Sequence, residues 1–140
     1  MSVSLWMLVG FAGWTLLVLL AGVGVRRWTL ILGGRAELTS FPGDTPHGSA
    51  PYRRAVRAHA NCLETLPVFA AIVLVATVAH LASRRMDLLA ATIMGARIVQ
   101  TSVHVLLPER ASTVAIRFAF FFVQVLALLM MGLLLVTAAG

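Results

Sequence analysis

The sequence has no lysine, only five acidic residues and a single cysteine. One cysteine, Cys62, excludes an internal disulfide and any metal site built from cysteines alone. The four histidines are scattered, and no pair has the three- or four-residue spacing of a helical metal site, so we expect no metal. All eleven basic residues are arginines, and they form no contiguous basic patch with interleaved aromatics, so we also expect no nucleic-acid partner.

Hydrophobic residues make up 60% of the chain and charged residues only 11%, with a mean hydropathy of +0.95. Soluble domains are about one quarter charged, so a soluble domain is excluded. The apolar residues form runs of about 20, the length that crosses about 30 Å of hydrocarbon. The pattern predicts a single domain over 1–140, an all-α integral membrane protein built as a four-transmembrane-helix bundle. The predicted spans are 5–25, 53–82, 87–107 and 112–137.

The segment 26–52 differs from these spans because it contains Gly33-Gly34 and Pro42-Gly43, which are turn and loop signals. We interpret it as one long loop between the first two spans. Arginines cluster in this loop and its flanks, and cytoplasmic loops carry the excess of basic residues. We therefore expect a cytoplasmic loop and both termini outside the cytoplasm. The arginines concerned are Arg26, Arg27, Arg35, Arg53, Arg54 and Arg57.

The entrance to the second span carries a polar stripe of four residues. At about 100° per residue they fall within an arc of about 80°, whereas His59 points to nearly the opposite side. Ionisable groups at membrane depth are expensive, so the stripe is a candidate functional site. It either forms an internal arginine–glutamate network or presents an arginine fork to a carboxylate ligand. The four residues are Arg54, Arg57, Asn61 and Glu64.

The third and fourth spans repeat this pattern. In the third span, four polar residues share one face, and in the fourth Arg117 and Gln124 lie seven residues apart. Such stripes must face protein or water rather than lipid. They either line a polar cavity near the cytoplasmic ends of the helices or only lock the helices together. The third-span residues are Arg97, Gln100, Thr101 and His104.

The second-span stripe belongs to a longer pattern that resembles the signature of the MAPEG family, the membrane-associated proteins in eicosanoid and glutathione metabolism. Gly95-x-Arg97 and Arg117 also resemble that family, and the chain looks like its bacterial branch. The resemblance covers nearly the whole chain. The pattern reads Arg54-x-x-Arg57-Ala-His59-x-Asn61-x-x-Glu64-x-x-Pro67-x-Phe69.

The resemblance implies a homotrimer in the bacterial inner membrane, with sites between neighbouring subunits that bind glutathione as cosubstrate. It assigns Arg117 to the thiol as the catalytic residue and leaves Arg54 as part of a supporting network. The chain departs from well-studied members at Ala60, Phe118 and Phe121, where polar or basic residues are common. The residues implied to contact glutathione are Arg57, Asn61, Glu64, Arg97 and His104.

The function implied by the resemblance is a glutathione-dependent transferase or peroxidase that acts on lipophilic electrophiles. A nearby arginine would stabilise the thiolate of a thiol that is mostly protonated at neutral pH. The alternative is a non-catalytic scaffold of the same fold that binds membrane lipids. A small multidrug-type exporter ranks last, since that class needs a carboxylate that is typically in the first helix, and this helix has none.

Overall fold

The computed structural model describes residues 1–139 and shows no β-strand among them. Four helical runs are long and apolar enough to cross a membrane, which confirms the predicted all-α membrane bundle. The first run is continuous from Val3 to Leu32 but includes a π-helical segment in its middle. The elements are α1 (Val3–Leu17), the π-helical segment (Val18–Gly24), α2 (Val25–Leu32), α3 (Ala50–Val78), α4 (Arg84–Leu106) and α5 (Ala111–Ala139).

The connection between the first two spans is shorter than the predicted loop 26–52, because helix continues to Leu32 and resumes at Ala50. Arg26 and Arg27 do not interrupt the first helix. It ends where Gly34 takes a left-handed conformation, φ +64°, and Arg35 donates its backbone N–H to the carbonyl of Leu30 at 2.9 Å. This is a glycine-terminated helix end. The helix therefore continues for one to two turns beyond the two arginines before the loop begins.

The second span also ends earlier than predicted, at Val78 rather than 82. Here His80 adopts the left-handed conformation, φ +57°, and Leu81 donates its backbone N–H to Ala76 at 2.8 Å. The next helix then begins at Arg84, because the hydroxyl of Ser83 accepts from the backbone N–H of Met86 at 3.3 Å. Local capping chemistry thus sets both helix ends.

The π-helical segment lies where the first helix meets the start of α3. A Cβ atom added to Gly22 would stand 3.2 Å from the Cβ of Ala55, so only a residue without a side chain allows this spacing comfortably. Short π-helical stretches are rare and often lie beside functional sites. This segment brings α2 and α3 together at one end of the bundle.

The larger of two buried apolar clusters lies in the interior of the bundle, and α1, α3, α4 and α5 all contribute to it. The rings of Phe11 and Phe69 pack at a centroid distance of 5.7 Å across the α1–α3 contact. In α4, alanines at buried positions let neighbouring helices approach closely. The buried members are Phe11, Cys62, Phe69, Val73, Ala76, Met86, Ala90, Ile93, Ala127 and Met131.

Consecutive spans alternate in direction, so segment 33–49 and the turn 107–110 lie at the same end of the bundle. We call this end the loop end. At the opposite end, α1 and α4 both begin. There the carboxylate of Asp87 accepts from the backbone N–H of Ser4 at 2.8 Å and from its hydroxyl at 2.6 Å. Asp87, which belongs to α4, therefore caps the first turn of α1. Its negative charge also interacts favourably with the positive N-terminal end of the α1 helix dipole.

We expect Asp87→Ala to lower the free energy of unfolding by about 1–2 kcal/mol, because it leaves the buried Ser4 without an acceptor. Thermal unfolding of the purified protein in detergent measures this. Glu37→Ala is the control, since the Glu37 side chain is exposed and makes no described hydrogen bond. Equal unfolding temperatures for the two variants would contradict the capping role.

Candidate functional site

A cavity of about 630 Å³ opens at the loop end, enclosed by segment 33–49, the first turns of α3 and the end of α4. Its wall combines arginines, histidines and carboxylates with prolines and other apolar residues. This volume suits a small organic ligand. The lining residues are Arg27, Pro42, Gly43, Asp44, Thr45, Pro46, His47, Ala50, Tyr52, Arg53, Arg54, Val56, Arg57, His104, Pro108 and Glu109.

The outer wall of the cavity is held in place by Arg27. Its Nε donates to the hydroxyl of Tyr52 at 2.5 Å. The same guanidinium lies over the rings of Phe41 and Tyr52, at 5.2 and 5.7 Å from their centroids. His47 packs on Tyr52 with a centroid distance of 5.3 Å. These contacts attach the loop to α2 and α3, so the loop covers the cavity rather than extending into solvent.

The electrostatics of the cavity favour an anionic ligand. Four arginines line it, whereas only two carboxylates do, those of Asp44 and Glu109. An arginine fork matches a carboxylate or phosphate through two parallel hydrogen bonds. The apolar part of the wall lowers the local dielectric and strengthens such contacts. The arginines are Arg27, Arg53, Arg54 and Arg57.

The second-span stripe is only partly inside this cavity. Arg54 and Arg57 line it, whereas Asn61 and Glu64 continue along the same face of α3 beyond it. In residues 1–139, the ion pair found is between Arg117 and Glu109, and neither Arg54 nor Arg57 pairs with Glu64. The internal arginine–glutamate network, one of the two predicted alternatives, is therefore not formed within the described chain. Arg54 instead leaves its buried Nε without a hydrogen-bond partner.

The third-span stripe lies mostly inside the packed bundle. Arg97 is 1% exposed, donates to the hydroxyl of Thr65, and lies over the Phe11 ring at 5.2 Å from its centroid. Thr101 lies 3.8 Å from the sulfur of Cys62. Neither Arg97 nor Thr101 lines the cavity. For these residues the structure favours the helix-locking interpretation, and contact between Arg97 and a ligand stays a prediction.

Glutamine side chains lock α4 to α5 by a short hydrogen-bonded chain. Gln100 donates to the backbone carbonyl of Arg117 at 3.1 Å, and Gln124 donates to the side-chain carbonyl of Gln100 at 3.0 Å. His104, one turn beyond Gln100, is 5% exposed and lines the cavity. The chain fixes the start of α5, and with it Arg117, against the end of α4.

Arg117 lies beside the cavity without lining it. Its Nη2 is 3.4 Å from Oε1 of Glu109, and Glu109 itself lines the cavity. The arginine side chain is 13% exposed, and the glutamate is 58% exposed. On the side of the cavity next to α5, a ligand therefore contacts the carboxylate of Glu109. The guanidinium of Arg117 lies behind this carboxylate and is paired with it.

Sequence reasoning did not single out the loop-end residues that complete the cavity. Tyr52 and Arg27 are 25 positions apart, and their contact depends on how the loop folds. Asp44, His47 and Glu109 belong to no recognised sequence motif. The one available signal was the concentration of arginines around a proline- and glycine-rich loop. In the described part of the chain, no group of three or more His, Cys, Asp or Glu could hold a metal ion.

Together, the fold and the site define a multi-pass integral membrane protein with a cationic cavity at one end of its helix bundle. Residues 4–137 match the MAPEG family, and the chain belongs to that family. Comparison with curated proteins and with solved structures gives no match. Family membership confirms the resemblance and supports, in general terms, a membrane function related to glutathione.

We expect Arg97→Met to keep the free energy of unfolding within about 1 kcal/mol of the wild type, because an apolar side chain of similar length fills the same space. Thr65 keeps its own hydrogen bond to the carbonyl of Asn61 at 3.2 Å. Arg97→Ala leaves a cavity and should lose about 2 kcal/mol or more. Thermal unfolding in detergent compares the two variants. Equal destabilisation of both would show that the buried charge itself is required.

Proposed function

We propose that the protein is a glutathione-dependent membrane transferase or peroxidase that acts on lipophilic electrophiles. The observation that carries this proposal is the arginine-lined cavity at the loop end, in a chain of the MAPEG family. Glutathione has two carboxylates, one ammonium group and one thiol. Its net charge is therefore negative, whereas the cavity, with four arginines against two carboxylates, has a net positive charge.

In this proposal the second span holds the tripeptide. Arg57 binds a carboxylate through its guanidinium fork, and Asn61 offers both an amide donor and a carbonyl acceptor. Glu64 supplies a carboxylate for the ammonium group. His104 contacts the ligand from α4, where its buried ring borders the cavity. Arg97 supports the site from the bundle interior, and Arg54 extends the cationic wall.

We propose that the working form is a homotrimer with its ligand sites between neighbouring subunits. In the protomer, Arg57 and Glu64 are exposed on the face of a helix that enters the membrane. Lipid offers such groups no partners, so a second copy of the chain is the natural cover for this face. Asn61 and Glu64 would then complete the cavity wall of the assembled protein.

The proposed chemistry is attack by a thiolate. Arg117 stabilises the sulfur anion and so raises the reactive fraction of a thiol whose pKa is otherwise about 8.5. In the transferase reaction the sulfur forms a bond to an electrophilic carbon, and the leaving group departs with its electron pair. In the peroxidase reaction two thiols become a disulfide while a hydroperoxide is reduced to an alcohol and water. The electrophile enters from the surrounding hydrocarbon.

A second candidate is a non-catalytic scaffold that binds lipid head groups. Two observations favour it: Arg97 is buried inside the bundle with its guanidinium bonded to Thr65, and Arg117 is paired with Glu109. Basic pockets between helices at the cytoplasmic surface also suit anionic lipid head groups. Conjugation of glutathione to a generic electrophile by the purified protein separates the two, because the scaffold predicts no turnover above the uncatalysed rate.

Arg57→Ala is expected to weaken glutathione binding by about tenfold or more, because it removes charge-assisted hydrogen bonds. Asn61→Ala should weaken it by a smaller factor. Isothermal calorimetry with the purified protein measures both. Arg85→Ala is the matched control, since Arg85 is exposed at the end of the bundle opposite the cavity. Unchanged affinity in both site variants would overturn the proposed binding residues.

We further propose that the protein lies in a bacterial inner membrane with the loop end in the cytoplasm and both termini outside. Segment 33–49 and its flanks carry the larger share of arginines, which stay on the cytoplasmic side. Cys62 is fully buried, so an introduced cysteine would be the reactive one.

A membrane-impermeant maleimide applied to intact cells should label Arg85→Cys and spare Glu37→Cys, since these residues lie at opposite ends of the bundle. After the membrane is permeabilised, both variants should react. Labelling of Glu37→Cys in intact cells, with Arg85→Cys protected, would reverse the proposed orientation.

A further inference from the structure

We propose that Glu109 is a carboxylate latch that holds Arg117 away from the cavity until the sulfur anion of the ligand replaces it. This inference rests on the proposed function and adds a selectivity residue to the same site. Its basis is the contact between Nη2 of Arg117 and Oε1 of Glu109 at 3.4 Å. It is the ion pair found within residues 1–139, and it engages the arginine assigned to the thiol.

The positions of the two partners relative to the cavity differ. Glu109 lines the cavity, whereas Arg117 does not. A ligand that enters therefore meets a negative charge before it meets the guanidinium. Coulomb repulsion opposes the approach of any anion to Arg117 as long as the carboxylate stays in place. Release of the carboxylate exposes the guanidinium to the ligand.

The carboxylate is the partner free to move. Its side chain is 58% exposed and belongs to the turn 107–110, whereas Arg117 is 13% exposed and lies within α5. Gln100 holds the backbone carbonyl of Arg117 at 3.1 Å. An ion pair with one well-solvated partner is weak and exchanges readily.

The turn that carries Glu109 has a fixed backbone. The hydroxyl of Thr113 accepts from the backbone N–H of Arg110 at 2.9 Å and donates to the carbonyl of Pro108 at 3.0 Å. The residues on both sides of Glu109 are therefore tied to the first turn of α5. Opening the latch requires a rotation of the Glu109 side chain and no rearrangement of the turn.

The surrounding charges favour exchange of one anion for another. Arg54 and Arg57 of α3 and His104 of α4 border the same cavity, and Asp44 of the loop is the other carboxylate in its wall. A thiolate that replaces the Glu109 carboxylate at Arg117 restores the same charge pairing. An uncharged thiol gains much less from this exchange. With the latch in place, Arg117 therefore accepts the ionised sulfur as a partner in preference to the neutral thiol. Because the sulfur anion must first displace the Glu109 carboxylate, the bound thiol ionises less readily than it would beside an unpaired arginine.

The test compares four full-length proteins purified in detergent: wild type, Glu109→Gln, Arg117→Gln and the double variant. The readout is the thiolate absorbance of bound glutathione as a function of pH. The latch predicts that Glu109→Gln raises the thiolate fraction at neutral pH about two- to fivefold, the range for a weak ion pair. It also predicts no gain in the double variant over Arg117→Gln, because the two residues act on each other.

Glu37→Gln is the matched control for the loss of one negative charge, since Glu37 lies at the same end of the protein but not in the cavity wall. It should behave as wild type. Glu109→Gln should bind S-methylglutathione, which has no ionisable sulfur, at least as tightly as the wild type does, because the variant loses a negative charge from the cavity wall. This comparison also shows that the variant is folded.

Three outcomes would overturn the latch. A thiolate fraction in Glu109→Gln equal to that of Glu37→Gln would show that the carboxylate has no effect on the sulfur. A lower fraction would show that Glu109 instead positions Arg117 or takes the thiol proton. Failure of the wild type to bind either glutathione or S-methylglutathione would overturn the proposed function, and the latch with it. If the wild type binds glutathione normally and only the first outcome is observed, the latch is overturned while the proposed function stands.

Discussion

Hydrocarbon offers no hydrogen-bond partner, so every polar side chain in this bundle must find one within the protein, in water or in a ligand. Arg97 finds partners inside the protein in the hydroxyl of Thr65 and the ring of Phe11, although its Nε has none. The side-chain N–H groups of Gln100 and Gln124 donate to the side-chain carbonyl of Gln100 and to backbone carbonyls of α5. The arginines at the loop end differ, because they border an open cavity.

This constraint divides the polar residues into two sets with different roles. The packed set fixes the relative positions of α1, α3, α4 and α5. Buried atoms without a hydrogen-bond partner occur in both sets: Nε of Arg97 in the packed set and Nε of Arg54 in the cavity set. Arg54 differs because it borders the cavity, where a ligand can supply the missing partner. Arg117 stands between the two sets: its backbone belongs to the packed helices, and its guanidinium faces Glu109.

Much of the fold could be predicted from the sequence, because membrane thickness fixes the length of an apolar span and charge marks where it ends. Helix ends were less accurate, since Gly34 and His80 end their helices through local backbone geometry. For the site, periodicity identified the polar faces but could not say whether a face is packed or open. Arg97 and His104 share one face of α4, yet only His104 reaches the cavity.

The structure of the loop end was the part least predictable from the sequence. The contact between Arg27 and Tyr52 and the pairing of Glu109 with Arg117 are tertiary, and neither has a sequence motif. The family resemblance suggested glutathione as the ligand, but it carried no information on how this loop closes. The cavity depends on that closure, because six of its sixteen lining residues lie in segment 33–49.

The central proposal is that the loop-end cavity binds glutathione, at a site that a neighbouring subunit completes. The most direct measurement is an electron cryomicroscopy structure of the protein in lipid nanodiscs, determined with glutathione. The account predicts density for the tripeptide inside the cavity, with its carboxylates against Arg54 and Arg57. Density for a phospholipid head group in the cavity, with no tripeptide bound there, would contradict it.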